Sequence, residues 1–197
     1  MTWPNIFTLI LILAMSCSVG CSDQKEKATI REVRVPRSDS ISDPEILRLA
    51  SDAADRFRVP RRRYVTYIDY SKPMTVKRLY VVDMERSKVV LKSFVGHAWK
   101  SGKVHATAFS DEPGTLQSSL GAYRTGESYR GRFGYAMRLD GLQKGVNANA
   151  RHRAIVFHSY EKSPSLYSHG CFITPVEINS SLIDLIRGGT LVYVKGP

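Results

Sequence analysis

Cysteine is scarce in this chain, and its copies lie near the two ends. Only three of the 197 residues are cysteine: Cys17 and Cys21 near the N-terminus and Cys171 near the C-terminus. If a leader is cut at Cys21, Cys171 remains as the free thiol of the domain, and an internal disulfide is excluded. A free thiol in an exported protein is easily oxidised unless it is used, so Cys171 is a candidate reactive residue.

The spacings that usually hold zinc are also missing. The chain has five histidines, but neither His-Glu-x-x-His nor a paired-cysteine motif occurs in it. A zinc site needs such motifs because they place two ligands close together on one element. We therefore expect neither a metal nor another cofactor.

Charged side chains are absent from residues 1–20, and the run from Trp3 to Met15 is rich in Ile and Leu. An apolar core of about ten residues is short for a membrane span but typical of a signal peptide. Small residues then lead to Cys21, which resembles a lipoprotein processing site with Cys21 as the lipidated residue; Cys17 is a second candidate. Two features depart from that pattern, since Ser18 stands where Leu is usual and no Lys or Arg precedes the apolar run. Plain secretion and an uncleaved membrane anchor are the alternatives, and the domain is expected on the periplasmic or cell-envelope side in each case.

The chain is strongly basic, with a formal charge of +11 and a pI near 9.7. In a cytosolic protein this balance would point to nucleic acid, but the export signal argues against that partner. Attraction to anionic envelope polymers or phospholipid is one interpretation, and an ordinary solvated surface is the other.

The hydrophobic pattern predicts a mainly β domain with flanking helices. Ser42-Asp43-Pro44 predicts the start of one helix, and Thr174-Pro175-Val176-Glu177 resembles a capping box that starts a second. Alternating segments such as Tyr64–Tyr70 and Leu79–Asp83 predict strands between them. Thr190–Val194 is apolar on both faces, which predicts a central strand.

Two short stretches near the C-terminus carry the strongest chemical signal. Ile155–Ser159 reads as a strand that delivers His158 at its end, and Ser168–Phe172 reads as a tight turn that presents Cys171. A thiol has an ordinary pKa of about 8.5, so a catalytic one needs a base or a cation beside it. Backbone N–H groups around Gly170 and Cys171 could form an oxyanion hole. The plainer interpretation is a small buried cysteine and a hydrogen-bonded core histidine.

These stretches resemble the active-site signature of the YkuD-type L,D-transpeptidases, bacterial enzymes that cross-link peptidoglycan. The similarity covers roughly Arg63 to the C-terminus. Within the family, the chain resembles the branch called murein L,D-transpeptidase catalytic domain proteins. Four further segments carry it: Ser118-Ser119-Leu120-Gly121-Ala122-Tyr123, Thr125-Gly126-Glu127, Arg138-Leu139-Asp140-Gly141-Leu142 and Asn147-Ala148-Asn149-Ala150-Arg151.

The resemblance implies a YkuD-like L,D-transpeptidase β-sandwich for the catalytic domain (63–197), with peptidoglycan stem peptides as partners. The residue patterns before it predict a signal peptide or lipoprotein leader (1–21), a flexible tether (22–42) and an N-terminal helix with a basic linker (43–62). The N-terminal lipid or leader is expected to contact the membrane.

The implied activity is acyl transfer. Cys171, deprotonated by His158, attacks a stem tetrapeptide, releases D-Ala through a thioester and forms a cross-link with an amine. Ser159 would orient His158 through its backbone carbonyl. Gly170 and Ser168 belong to the supporting turn, and His169 is interpreted as support rather than as a catalytic group.

Three points stay open in the sequence. Water could replace the amine, which gives an L,D-carboxypeptidase or hydrolase of the same bond, and a non-catalytic peptidoglycan-binding lipoprotein is the alternative from another class. Many family members carry Arg two residues after the cysteine, but the chain here reads Phe172-Ile173-Thr174, which leaves the group that holds a substrate carboxylate unidentified. The Gly-, Tyr- and Arg-rich region Gly121–Leu142 is either a substrate cleft wall, with Tyr123 as a substrate contact, or a twisted β-hairpin.

Overall fold

The structure is a computed structural model of the protein that describes residues 42–160 and 167–197. The leader, almost all of the predicted tether and the lipidation expected at Cys21 lie outside the described residues. The helices and strands are α1 (Asp43–Arg56), β1 (Tyr64–Asp69), β2 (Leu79–Asp83), β3 (Lys88–Ser93), β4 (Gly121–Gly131), β5 (Gly134–Gly141), β6 (Val156–Ser159), β7 (Phe172–Thr174), α2 (Val176–Ile186) and β8 (Leu191–Lys195). Neither helix in this part of the chain is long and apolar enough to cross a membrane.

All eight strands join one sheet in the order β3-β2-β1-β8-β4-β5-β6-β7. The last strand in sequence, β8, lies in the middle, parallel to β1 and antiparallel to β4. Its central place confirms the prediction made from its two apolar faces. The mainly β class with flanking helices is likewise confirmed.

The two helices pack on opposite faces of this sheet, because side chains alternate along each strand. Ile46, Ala50 and Ala53 of α1 are buried in a cluster with Tyr67 and Tyr80. The larger cluster, on the other face, contains three side chains of α2 together with residues of most strands: Leu182, Ile183, Ile186, Ile68, Val81, Met137, Phe157, Phe172 and Val192. Each fully buried aliphatic or aromatic side chain contributes roughly 1.5–3 kcal/mol, so both helices help to hold the sheet.

The two edges of the sheet approach each other, which curls it into a half-barrel. The segment that follows the edge strand β3 hydrogen-bonds to the opposite edge, with Gly96 N–H donating to Ile173 O at 2.8 Å. Farther along, Ser168 N–H donates to His97 O at 3.1 Å and Trp99 N–H donates to Ser168 O at 2.8 Å. These bonds cover backbone groups that an open edge would expose, and they attach the turn before β7 to the far side of the sheet.

The start of α2 and the Gly121–Leu142 region test two local predictions. The second helix begins at Val176 with Pro175 as its N-cap and no side-chain cap, so the predicted capping box is wrong. Thr174 belongs instead to β7, where its hydroxyl lies 2.9 Å from Asn179 Oδ1. The Gly121–Leu142 region forms the β4–β5 hairpin, which was the structural interpretation of that segment.

Candidate active site

His158 and Cys171 come from neighbouring parallel strands. Strands β6 and β7 pair with Phe157 opposite Phe172 and His158 opposite Ile173. The Phe157 and Phe172 rings stack at 4.9 Å in the core, so alternation sends the neighbouring side chains to the other face. Carrying the register back two residues from Ile173 puts Cys171 diagonally from His158 on that face. Strand spacing and rise give a Cα separation of about 8 Å.

The Cys171 thiol is half-buried, and its sulfur lies 3.7 Å from Ala154 O. Burial raises the pKa of this thiol, while a hydrogen bond from the Val156 backbone and the charge of Arg153 act in the opposite direction. Ala154 itself has φ of 54°, a left-handed conformation that costs a non-glycine residue free energy. Strained backbone thus stands beside the thiol.

Ser168 and Gly170 fix the turn that presents Cys171. The Ser168 hydroxyl donates to Cys171 O at 2.7 Å and accepts from Gly170 N–H at 3.0 Å. Gly170 has φ of 136°, and a Cβ there would lie 2.5 Å from Ile155 Cδ1, so the position requires glycine. Because Gly170 N–H already has a partner, this amide is not the free oxyanion donor expected from the sequence.

His158 is buried and held in one tautomer. Its Nδ1 lies 2.7 Å from Ser159 O; because a carbonyl only accepts, Nδ1 carries the proton and Nε2 has a free lone pair. No described residue hydrogen-bonds Nε2, and Phe133 stacks on the ring at 4.4 Å. Burial lowers the pKa of His158, opposed by the bond to Ser159. The ring is therefore a neutral imidazole with one nitrogen available as a base.

His97 is a second buried histidine, but both of its ring nitrogens are used. Nε2 donates to Gly102 O at 3.0 Å, and Nδ1 accepts from Arg78 Nη2 at 2.8 Å. Arg78 is fully buried and also donates to Val95 O and Lys72 O. No described carboxylate lies within salt-bridge distance of its guanidinium. His97 is thus a structural residue, which sequence alone did not separate from His158.

Arg153 is the group near the turn that sequence reasoning missed. Its guanidinium donates to Ser110 O at 2.8 Å, to Ser119 Oγ at 2.7 Å and to Gln117 O at 2.6 Å. Nη2 lies 3.2 Å from the position that a Cβ would take on Gly170. No described carboxylate pairs with it. Arg153 lies between the Asn147–Arg151 segment and strand β6, and this position next to two family-like segments could have marked it as a site residue.

Two expected site residues are placed differently from a catalytic group. His169 is exposed and makes no hydrogen bond to any described residue, so no contact here supports the interpretation of it as a supporting residue. Tyr123 is fully buried, donates from its hydroxyl to Ser119 O at 3.0 Å and packs edge-on against Phe172. The Tyr123 side chain belongs to the core, so no contact described here supports the substrate contact expected of it, which stays a prediction.

The Asn147–Arg151 segment acts as a scaffold for the loop that enters β6. Asn147 is buried, and its amide donates to Leu120 O and Ala122 O. Asn149 N–H donates to the Asp111 carboxylate at 3.0 Å. These bonds fix the loop from which Arg153 and Ala154 reach the turn.

A small apolar cavity of about 200 Å³ lies beside the register partner of His158. Ile173 lines it together with Met74, Phe94, Tyr160 and Pro175. In the described ranges, no three His, Cys, Asp or Glu side chains are grouped as metal ligands. The chemical groups that the site does offer are a thiol, a neutral imidazole, an arginine and backbone amides, which together suit acyl transfer to and from sulfur.

Comparison with solved structures finds L,D-transpeptidases at low identity. The Mycobacterium tuberculosis L,D-transpeptidase 1 shares 12% identity, with 68% of this chain and 62% of that chain covered and a TM-score of 0.42. The Stackebrandtia nassauensis L,D-transpeptidase (Yku) shares 15%, with 76% and 63% covered and a TM-score of 0.44. The helical cell shape determining protein Pgp2 (K307A mutant) from Campylobacter jejuni shares 14%, with 82% and 57% covered and a TM-score of 0.48.

This chain therefore spans less than two thirds of the length of these three structures. No curated protein sequence matches it. A family model described as L,D-transpeptidase catalytic domain (YkuD_2) matches residues 39–194. That match includes both α-helices, strands β1 to β7 and all of β8 except Lys195, and the chain belongs to the L,D-transpeptidase catalytic domain family.

Proposed function

We propose that this protein is a cysteine-dependent L,D-transpeptidase that acts on peptidoglycan stem tetrapeptides. One observation carries the proposal: His158 has Nδ1 fixed by Ser159 O, its Nε2 is bonded by none of the described residues, and it lies on the strand beside Cys171. A base in a single tautomer next to a nucleophile is the arrangement that nucleophilic acyl transfer needs. His97 offers no such nitrogen.

In the proposed reaction the Cys171 thiol gives its proton to His158 Nε2 as sulfur attacks the carbonyl before the terminal D-alanine. The tetrahedral intermediate collapses, the C–N bond breaks, and D-alanine leaves with the proton from His158. An amine of a second stem then attacks the thioester, gives its proton to the same nitrogen, and releases the thiol. The net change is one amide broken and one amide formed, with no redox step.

The electrostatics favour a neutral resting pair over a thiolate–imidazolium pair. Burial raises the pKa of Cys171 and lowers the pKa of His158, so both groups are uncharged near neutral pH. Proton transfer then accompanies attack. Arg153 favours the thiolate as it forms.

The oxyanion that forms on the substrate carbonyl needs a donor other than Gly170 N–H, which Ser168 already occupies. We assign this role to the Cys171 N–H, because it lies on the nucleophile itself and faces a carbonyl bonded to sulfur. Ser168 and Gly170 support the geometry of this amide without contacting substrate.

We further propose that the domain works on the envelope side of a membrane to which a lipidated Cys21 anchors it. The support is the leader pattern in residues 1–21. A leader-processed protein labelled with radioactive palmitate in cells should lose its label on Cys21→Ala, whereas a Cys17→Ala control should keep it.

The activity itself is tested with a disaccharide-tetrapeptide and mass spectrometry. Wild type should give a cross-linked dimer with loss of D-alanine, and Cys171→Ala and His158→Ala should not. Tripeptide without dimer would identify the L,D-carboxypeptidase alternative. Absence of any product, together with absence of a carbapenem adduct on Cys171, would leave the non-catalytic binding protein as the function.

A further inference from the structure

A second cavity, of about 480 Å³, lies on the segment after β3 that hydrogen-bonds to Ser168 of the nucleophile turn. Its lining residues are Trp99, Lys100, Gly102, Lys103 and Tyr167, and we call it the aromatic-basic pocket. It shares no residue with the cavity beside Ile173. The proposed reaction uses none of its side chains.

Trp99 is the most exposed large apolar residue in this part of the protein, with 62% of its surface accessible. Its ring meets the Tyr167 ring edge to face at 5.9 Å, and Tyr167 in turn packs against the buried His97 at 5.8 Å. Large aromatic side chains are normally buried or placed where they bind something. An indole face held open beside a tyrosine suits the flat, C–H-rich face of a sugar ring.

The backbone that carries Trp99 is rigid. Trp99 N–H donates to Ser168 O at 2.8 Å, and Lys100 N–H donates to Leu116 O at 3.0 Å. At Gly102, φ is 136° and a Cβ would lie 2.1 Å from His105 O, so only glycine fits there. Because the platform is formed before any ligand arrives, binding would cost little ordering entropy.

The pocket is also positively charged. Lys100 and Lys103 are exposed, and no carboxylate of the described residues forms a salt bridge with either. Lys92 and Lys195, by contrast, form ion pairs with Asp43 and Asp69. Two uncompensated ammonium groups beside two aromatic rings fit a ligand that combines a sugar with free carboxylates.

The pocket is connected directly to the proposed nucleophile. Trp99 donates to Ser168 O, Tyr167 precedes Ser168, and the Ser168 hydroxyl donates to Cys171 O. A ligand held by Trp99 and Tyr167 is thus held by the same backbone that positions the thiol.

We propose that the aromatic-basic pocket binds the disaccharide-peptide unit of peptidoglycan, with a pyranose ring against Trp99 and Tyr167 and a stem-peptide carboxylate at Lys100 and Lys103. This inference rests on the proposed function, because that function supplies the polymer. It adds a subsite that recognises the glycan and its charge at a distance from the bond being broken.

Tryptophan fluorescence can report on ligand binding at this pocket, because the chain has two tryptophans, Trp3 and Trp99. In the detergent-solubilised full chain with Trp3→Phe, Trp99 is the single tryptophan, and Cys171→Ala prevents turnover. Titration with a disaccharide-tripeptide should change Trp99 emission saturably. Lys100→Ala/Lys103→Ala should raise Kd about tenfold and remove most of its salt dependence. Lys88→Ala/Lys144→Ala, which removes one exposed lysine on strand β3 and one in the turn after β5, should change Kd less than twofold.

Catalysis and binding are separated by a second pair of measurements. With Cys171 intact, Trp99→Ala should raise KM for the disaccharide-tetrapeptide about tenfold, leave kcat within threefold and leave carbapenem acylation of Cys171 unchanged. If wild type shows no turnover but still shows saturable Trp99 emission, the subsite stands and the proposed function fails. If emission does not respond to muropeptide, or responds equally to phosphatidylglycerol vesicles, the subsite assignment is overturned even when transpeptidation occurs.

Discussion

Arginine is used in two different ways in the domain. Beside the β4–β5 hairpin, Arg151 of the loop before β6 contacts Glu127 at 3.0 Å and Asp140 at 2.7 Å, and Arg124 and Arg138 of the hairpin join the same carboxylates. A hydrogen bond from Arg151 lowers the pKa of Asp140. The pKa of Glu127 is lowered by a hydrogen bond from the backbone N–H of Glu127 itself and by one from Arg151. Three arginines thus share two carboxylates in one network at the surface.

Near the nucleophile turn, Arg153 and Arg78 form no ion pair with a carboxylate of the described residues. Both donate to neutral atoms, mostly backbone carbonyls. Asp69 acts on Arg78 through space, whereas the charge of Arg153 favours the thiolate form of Cys171. The arginines around the hairpin thus pair with carboxylates, whereas Arg153 holds backbone in place and also acts on the thiol.

Removing the buried guanidinium should have the largest effect. Arg78→Met would leave Val95 O, Lys72 O and His97 Nδ1 without their donor in the interior. Unpaired buried polar groups cost about 1–3 kcal/mol each, so we expect the free energy of unfolding in urea to fall by about 3 kcal/mol. The matched exposed change Arg124→Met should cost less than about 1 kcal/mol. Equal losses at both positions would remove the distinction between the two regions.

The second contrast sets Arg153 against Arg151, which are two residues apart. In a Cys17→Ser/Cys21→Ser background, Cys171 is the single thiol, and its alkylation by iodoacetamide can be followed at pH 7. Arg153→Met should slow alkylation about tenfold, because losing the cation raises the pKa of the thiol and leaves less thiolate at pH 7. Arg153→Lys should recover part of the rate. For Arg151→Met the rate should stay within twofold, and a slow Arg151 variant would contradict the comparison.

The pH dependence of the same alkylation sharpens the comparison. Because burial raises the pKa of Cys171, the thiol is protonated at pH 7, and the rate should increase about tenfold per pH unit. The increase should level off only above the ordinary thiol value of about 8.5. A plateau already reached near pH 6 would indicate a resting thiolate–imidazolium pair and would exclude the neutral pair proposed here.

The smallest effect is expected inside the hairpin strand. Tyr123→Phe deletes the hydroxyl bond to Ser119 O and should lower the free energy of unfolding by about 1 kcal/mol. The KM for the disaccharide-tetrapeptide should not change, because the ring is in the core. A severalfold rise in KM with unchanged stability would support the substrate contact predicted from the sequence.

The sequence by itself determined which residues could carry the chemistry. A strand ending in His158, a glycine turn before Cys171 and the family resemblance all follow from local patterns, since backbone preference and side-chain type are local properties. The same holds for the central β8, whose two apolar faces require neighbours on both sides.

Only the tertiary structure decided what each candidate touches. Tyr123 lies within the Gly-, Tyr- and Arg-rich region and Arg153 lies beyond it, yet the tyrosine is buried in the core and the arginine reaches the nucleophile turn. The sequence alone does not distinguish His97 from His158. In the structure, Arg78 hydrogen-bonds the ring nitrogen of His97 that could otherwise act as a base. The hydrogen bonds of His97 and Trp99, in the segment after β3, with Ser168 join residues that are far apart in the chain. Such contacts depend on how a curled sheet brings its edges together, and no local preference encodes that distance.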